Sequence, residues 1–402
     1  MAHVSPLRDA HALAEASLRH YGPIDSQVEL VETFGELDFE YAAIRKACVL
    51  IDQPHRATIE IVGDDRLAFL NNMITQEVGK LAPGRVARSF WLGRNGRIVG
   101  DLRLAELGDR MLVDLDVHAV ESVVESLGAY VITEDVEIRD VTDRMHRLAL
   151  HGPTSIELLA GVSEPAGDRA SPIGDLADRS ATVVSIDGVQ CVVERCDSAG
   201  EVGLEITIET DRTRDVYRRL VETGQPHDED AGNGSLASRV KLRPSGWLAY
   251  NTARIEAGTA LFNLDFSSDS LPAETGEQTL NDRVSFTKGC FLGQEVVARM
   301  HARGQAKQRL VGLRPIGENL RDAEGFPRQP VGGTQVFAKA DPEGDPVGIV
   351  TSSTISPMCG GESICFAMLR SKFAEDGASV ALTAEGARLE ARVQTDLRFL
   401  PR

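Results

Sequence analysis

Apolar and polar positions follow three successive patterns along this chain. Between about residues 30 and 145, helix-like stretches (40–48, 66–73 and 118–127) are interleaved with strand-like stretches at 57–62 and 111–115, which predicts mixed helices and strands. The run Phe90-Trp91-Leu92-Gly93-Arg94-Asn95-Gly96-Arg97-Ile98-Val99-Gly100-Asp101-Leu102 predicts a hairpin, with Asn-Gly supplying the turn. From about 146 to 235 the order is strand, helix, strand, strand, then a helix over 212–222 and a Gly-, Asp- and Asn-rich exposed loop over 224–235. Beyond about 305, short strands such as 308–313, 348–351 and 391–397 are separated by Gly and Pro turns, the pattern of a small β-barrel. Composition and periodicity alone give α+β followed by β.

At 402 residues with 42% hydrophobic side chains, the chain is long enough for two or three domains with ordinary cores. No run approaches the ~20 apolar residues of a membrane helix. The first twenty residues mix His, Asp, Glu and Arg without an apolar stretch, so neither a secretory signal nor a transit peptide is expected, and the expected location is cytoplasmic. With 43 basic against 61 acidic residues the net charge is −18, which argues against broad nucleic-acid binding. The richest basic stretch, 300–309, reads as a solvated helix end and linker. Six cysteines, Cys48, Cys191, Cys196, Cys290, Cys359 and Cys365, are too sparse for a disulfide scaffold. The close pairs lack the second Cys or His pair that structural zinc needs, so no metal site is expected, and Cys191 reads as part of a buried strand.

Cys290 is different. In Lys288-Gly289-Cys290-Phe291-Leu292-Gly293-Gln294-Glu295 a lone cysteine lies between glycines, two residues after a lysine. Helix formers follow from 296 to 301, which places Gly293 near a helix start whose free N–H groups favour an anion. Lys288 and the helix end together would favour the thiolate, the reactive form of cysteine. The run from Val284 to Arg299 resembles the signature of the YgfZ family of folate-binding proteins, relatives of the aminomethyltransferase (T-protein) of glycine cleavage. The T-protein shares Lys288, Phe291, Leu292 and Gly293, whereas Cys290, Gln294 and Glu295 lie on the YgfZ side. The resemblance covers about residues 35 to 400. It implies a T-protein-like α+β fold of three domains: a split first domain over 1–145 and 240–304 that binds folate and carries the cysteine loop, a ferredoxin-like second domain over 146–239, and a C-terminal β-barrel over 305–402.

Three further motifs carry the resemblance. The segment 96–102 is similar to the T-protein pattern Gly-Gly-Ile-x-Asp-Asp-Leu, with Asp101 in the place of the catalytic aspartate and Gly100 replacing the Asp before it. A carboxylate there can assist the folate N5 and N10 nitrogens electrostatically. The segment Arg195-Cys196-Asp197-Ser198-Ala199-Gly200-Glu201-Val202-Gly203-Leu204-Glu205-Ile206 resembles Arg-Thr-Gly-Tyr-Thr-Gly-Glu-Asp-Gly-Phe-Glu-Ile. This places Glu205 on the glutamate that grips the pterin edge and Ser198 where the family has tyrosine. The segment 249–258 resembles Ala-Arg-Asp-x-Leu-Arg-Leu-Glu-Ala-Gly, with Tyr250 where the family has a folate-contacting arginine, and Arg254, Glu256 and Gly258 retained. Arg254 reads equally as a helix-end ion pair.

The resemblance thus implies Cys290 and Asp101 as catalytic candidates, and Glu205, Arg254, Tyr250, Lys288 and Gln294 as contacts to tetrahydrofolate or another reduced folate. Two functions are implied. One is a folate-binding accessory protein for iron-sulfur cluster assembly or repair, with iron-sulfur proteins or their assembly factors as partners. The other is a tetrahydrofolate-dependent aminomethyltransferase of the glycine cleavage system, with Asp101 as the catalytic carboxylate.

Overall fold

The structure is a computed structural model that describes residues 4–167, 169–226, 234–303 and 306–401. The chain divides into two compact units, one formed by Met1–Met73, Glu77–Ser89 and Gly100–Tyr250, the other by Ile74–Gln76, Phe90–Val99 and Asn251–Arg402.

The first unit is built on two sheets. A seven-stranded sheet runs in the order Ser163–Pro165, Ala181–Ile186, Val189–Arg195, Gly203–Glu209, Met145–His151, Cys48–Asp52 and Leu242–Pro244. Its last pair is parallel and its others antiparallel. Period-two alternation sorts its side chains onto two faces. Leu204, Ile206 and Ile208, Leu148 and Leu150, Cys191 and Val193, and Leu50 lie on one face and join a single apolar core. Helix Ser155–Val162 supplies Leu158, Leu159 and Val162 to that core, and helix Thr213–Gly224 supplies Val216 and Leu220. The latter buries Thr213, Val216, Leu220 and Gly224, a stripe at helical spacing, while its Arg and Asp side chains face outward.

The other face of the same strands is polar and also buried: Gly203, Glu205 and Thr207 alternate with Arg147, Ala149 and His151 across the pairing. It meets a five-stranded sheet in the order Arg85–Leu92, Ile98–Glu106, Met111–Asp116, Arg56–Val62 and Glu137–Asp140. Arg103 lies opposite Asp114, and Asp114 opposite Thr58, so that this sheet likewise presents a charged face.

The second unit contains a closed six-stranded barrel in the order Gln308–Ile316, Glu362–Arg370, Gly348–Ser356, Gln335–Ala338, Ser379–Ala384 and Ala387–Gln394. Val311, Leu313, Val336, Val350, Leu369, Val380, Leu382 and Val393 fill it. Helices Glu277–Arg283 and Gln294–Arg303 and the end of helix Trp247–Ala257 belong to the same unit.

The expected helix over 66–73 is helix Arg66–Met73, and the Asn95-Gly96 hairpin closes with Gly93 and Arg97 bonded across the turn (2.9 Å). The expected helix over 40–48 is Leu37–Lys46, because Cys48 already starts a strand paired with Met145–His151. The loop expected over 224–235 falls in part outside the described residues, at 227–233, as do residues 304 and 305 of the basic stretch. The rest of that stretch is the end of helix Gln294–Arg303, the connecting Ala306 and Lys307, and the start of strand Gln308–Ile316.

Ile206 is fully buried in the apolar core. Ile206→Ala is expected to lower unfolding free energy by roughly 2–5 kcal/mol through lost transfer energy and the cavity left behind, as measured by urea denaturation.

Candidate functional site

The two charged faces of the first unit meet in a buried layer of three carboxylates and three guanidinium groups. Asp114 accepts from Arg56 Nε (3.0 Å) and Nη2 (2.6 Å) and pairs with Arg103 Nη2 (3.1 Å) and Arg147 Nε (3.1 Å). Burial alone would raise the Asp114 pKa, but the three arginines outweigh it and hold the carboxyl below the usual range. Glu194 accepts from Arg103 Nε (3.0 Å) and Arg147 Nη1 (3.1 Å). Glu205 is the under-coordinated member. Its Oε2 lies 3.8 Å from Arg103 Nη2, within ion-pair range but beyond a hydrogen bond, and has no hydrogen-bond partner. Burial, acting against Arg103, pushes the Glu205 pKa upward.

Asp101 stands two residues before Arg103 on strand Ile98–Glu106 and is half-buried. The strand period puts both side chains on one face, about 6.6 Å apart along the strand. Arg103, on the same strand face as Asp101, is the residue that reaches Glu205 from the five-stranded sheet. The loop preceding Glu205 is held by Asp197, which takes Arg195 Nε (2.6 Å), Arg195 Nη2 (3.0 Å) and the Gly203 amide (2.9 Å). Gly203 is required there, because a Cβ would stand 2.0 Å from the Cys196 carbonyl oxygen and 2.8 Å from His151 Nδ1. Cys196 Sγ receives Arg88 Nη2 and Arg103 Nη1, both at 3.1 Å. The Tyr250 hydroxyl meets Ser198 Oγ at 3.0 Å, and its ring stacks on His151 at 5.3 Å.

The remaining candidates lie in the second unit. Cys290 is exposed, and Gly293, at φ +81°, ends the loop where helix Gln294–Arg303 starts, so the expected helix start is present. A side chain at Gly293 would press on the Gly93 carbonyl (3.1 Å) and on Gly96 (3.2 Å), which seats the loop against the hairpin turn. Lys288 Nζ donates to the carbonyls of Ile74 (2.6 Å) and Gln76 (3.1 Å) and lies over the Phe291 ring, tying the loop to that segment. Gln294 is half-buried at the head of the helix. Arg254 is buried and engages Asn251, Thr259, Asp265 (2.7 Å) and Ser352 (2.7 Å), the helix-end ion pair that its sequence position also suggested. Among the described residues, no three His, Cys, Asp or Glu side chains group to hold a metal ion, and no helix is long and apolar enough to cross a membrane.

Residues 19–283 match the model of the GCVT N-terminal domain and residues 309–400 that of the glycine cleavage T-protein C-terminal barrel domain. The chain belongs to the glycine cleavage T-protein family. It is similar to the aminomethyltransferase of Caldanaerobacter subterraneus subsp. tengcongensis, with 28% identity over 89% of this chain and 86% of that one. It is likewise similar to the aminomethyltransferase of Geobacillus kaustophilus, with 28% identity over 97% of this chain and 96% of that one. The crystal structure of glycine cleavage system aminomethyltransferase T from Bartonella henselae superposes with a TM-score of 0.79 at 20% identity, covering 98% of this chain and 99% of that one. The chain therefore has the T-protein fold, and the closed barrel is its C-terminal domain.

Within this T-protein frame, Arg103, Arg147, Glu194 and His151 are members of the buried layer that the motifs did not single out. Their only signal was polar residues set among apolar ones in three strands, which reads as a solvated face until a second sheet covers it.

The thiols differ in environment. Burial pushes Cys48, Cys191 and Cys365 up to about 12, and Cys290 is exposed. Iodoacetamide is expected to label Cys290 at least tenfold faster than these three in the native protein, with mass spectrometry locating the adducts. Equal rates would contradict the placement of the loop. A second expectation concerns pH. Burial lowers His151 to about 4 and His55 to about 3, so below pH 6.5 the unfolded chain takes up protons that the native state refuses. Their stabilisation is present above about pH 6.5 and is lost as pH falls toward 4. His151→Gln is expected to flatten this fall by roughly 2–4 kcal/mol, read from urea unfolding between pH 7 and 4.

Proposed function

We propose that this protein binds a reduced folate and carries out tetrahydrofolate-dependent aminomethyl transfer, as the names of its curated relatives suggest for them. The observation that carries the reading is the buried Glu205 carboxylate, whose Oε2 lacks a hydrogen bond inside an otherwise paired charge layer. A pterin presents a 2-amino group and a ring N–H side by side, and a carboxylate accepts both in parallel. An orphan carboxylate oxygen in a dry site fits that edge.

When bound, tetrahydrofolate supplies the N5 and N10 nitrogens that receive the one-carbon unit. The chain's residues do the rest. Glu205 fixes the ring, and Arg103 keeps that carboxylate oriented without quenching it. Asp101, on the same strand face as Arg103 and reachable by solvent, holds negative charge near the reacting nitrogens and exchanges a proton through its carboxylate oxygens. Tyr250 and Ser198, which replace a family arginine and tyrosine, close one side with a hydroxyl pair and an aromatic ring.

A second reading, a YgfZ-type accessory role in iron-sulfur protein assembly or repair, is favoured by one observation: the exposed Cys290 thiol on a loop anchored by Lys288. The curated relatives favour the transfer reading.

Two variants test the proposal. Glu205→Ala is expected to weaken tetrahydrofolate binding about 10- to 150-fold, the loss of a charge-assisted contact, by calorimetry. Asp101→Asn is expected to leave binding within about threefold while slowing formation of methylenetetrahydrofolate from an aminomethyl-loaded lipoyl carrier by about 10²-fold or more. Unchanged affinity in Glu205→Ala removes that residue from the site. A wild-type protein that forms no methylenetetrahydrofolate, with iron-sulfur enzyme activity restored in cells by the wild type but not by Cys290→Ser, favours the second reading.

A further inference from the structure

His151 is fully buried, and neither of its ring nitrogens has a hydrogen-bond partner. A buried imidazole with both nitrogens unpaired is a poor choice for packing. Leaving a buried polar atom unsatisfied is destabilising, and an apolar side chain of similar volume avoids that penalty. The surrounding structure nevertheless holds the ring in place. In register, His151 lies opposite Gly203 on one neighbouring strand and Val49 on the other. Gly203 lacks the Cβ that would lie 2.8 Å from His151 Nδ1, so this side of the ring carries no side chain. Tyr250 stacks on the ring at 30° and 5.3 Å, and Tyr250 is itself fixed by Ser198 and Trp247. The ring plane is therefore set by packing, while neither nitrogen is engaged by a hydrogen bond.

The position matters as much as the orphaned atoms. Glu205 pairs with Ala149, and His151 follows two residues later on the same face, which makes the two side chains diagonal neighbours roughly 7–8 Å apart. Thr207, next along that face and opposite Arg147, also has a buried hydroxyl without a partner, and Arg147 Nη2 is a further unpaired donor. Unsatisfied groups thus line one strip of the sheet: His151, Glu205, Thr207 and Arg147. Burial keeps the imidazole neutral at pH 7, its pKa lowered to about 4, so it offers one N–H donor and one lone pair.

We infer that His151 is a ligand-contacting residue, an imidazole that presents one donor and one acceptor to the same bicyclic pterin heterocycle whose paired N–H edge Glu205 accepts. The inference rests on the folate reading above and deepens it. A pterin carries both acceptors and N–H groups beside the edge taken by a carboxylate. A neutral imidazole can serve either kind by changing tautomer, which a lysine or a carboxylate cannot. The ligand class selected is an uncharged heterocycle with donors and acceptors on adjoining edges, met by His151 and Glu205 on one face of the sheet.

The test uses full-length protein with tetrahydrofolate under reducing conditions. His151→Leu removes both polar atoms and keeps an apolar side chain, whereas His151→Gln keeps one donor and one acceptor. Binding by His151→Leu is expected to be about tenfold weaker with a melting temperature no lower than wild type, while His151→Gln binds within about threefold of wild type. A purely structural histidine gives another pattern, in which His151→Leu lowers the melting temperature and binds as wild type does. That result, or a glutamine variant that recovers nothing, overturns the inference. Should His151→Leu fail to fold, ¹⁵N shifts of the imidazole in the wild type give the answer: the His151 signals move on addition of tetrahydrofolate, and stationary signals in a protein shown to bind overturn the assignment. A wild-type protein that binds no tetrahydrofolate overturns the folate reading and this inference with it. Binding that is indifferent to His151 removes His151 alone.

Discussion

Much of the first unit depends on Arg103. Its guanidinium stands among Asp114, Glu194 and Glu205 in a layer from which water is nearly excluded. Removing a charge from water costs several kcal/mol per ion even after relaxation, and the cost is offset only when partners satisfy almost every oxygen and N–H. Asp114, with three arginines, and Glu194, with two, meet that condition. Glu205 does not, and its raised pKa is the electrostatic expression of the same shortfall. The layer is neutral in formal charge, three against three, yet unevenly coordinated, and the shortfall falls on the one carboxylate that the T-protein resemblance places at the pterin.

This arrangement restricts the fold. The strands Gly203–Glu209 and Met145–His151 have one apolar face and one charged face, both buried. A slip of one residue in their register would move Glu205 and Arg147 into the apolar core and Leu204, Ile206 and Leu148 into the charge layer. Two incompatible faces therefore specify the register more strongly than a core opposite solvent does. The local backbone serves the same end: Gly203 lets the chain pass close to the Cys196 carbonyl, and Asp197 pins the turn so that Glu205 enters the strand in phase.

Locally encoded features were legible in the sequence. The Asn95-Gly96 turn, helix Arg66–Met73 and the barrel strands with their Gly and Pro punctuation each carry their own signal within a few residues. The strand Cys48–Asp52 was not legible as such, because a short apolar run after a helix looks like its continuation until the partner strand Met145–His151 claims it. Among the candidates, Asp101, Glu205 and Cys290 stood out in the sequence because they sit in motifs that resemble a family. Arg103 and His151 sit in none. Their surroundings arise from which strands become neighbours, information that alternation along a single strand does not contain.

Exposure separates the chemistry that the candidates can perform. Glu205 is dry, which suits recognition: each hydrogen bond it makes to a ligand is strengthened by the low dielectric, and none has to compete with water. Asp101 is half-buried on the same strand face as Arg103, an exposure that suits the proton-handling role proposed for it. Cys290 is exposed on a loop whose glycine and lysine contacts fix the backbone rather than cover the thiol. A buried acceptor, a half-buried carboxylate and an open thiol thus differ in the access that solvent has to each. The buried layer neither requires nor covers this thiol, so the exposure of Cys290 is a property of its loop and is independent of the charge balance around Arg103.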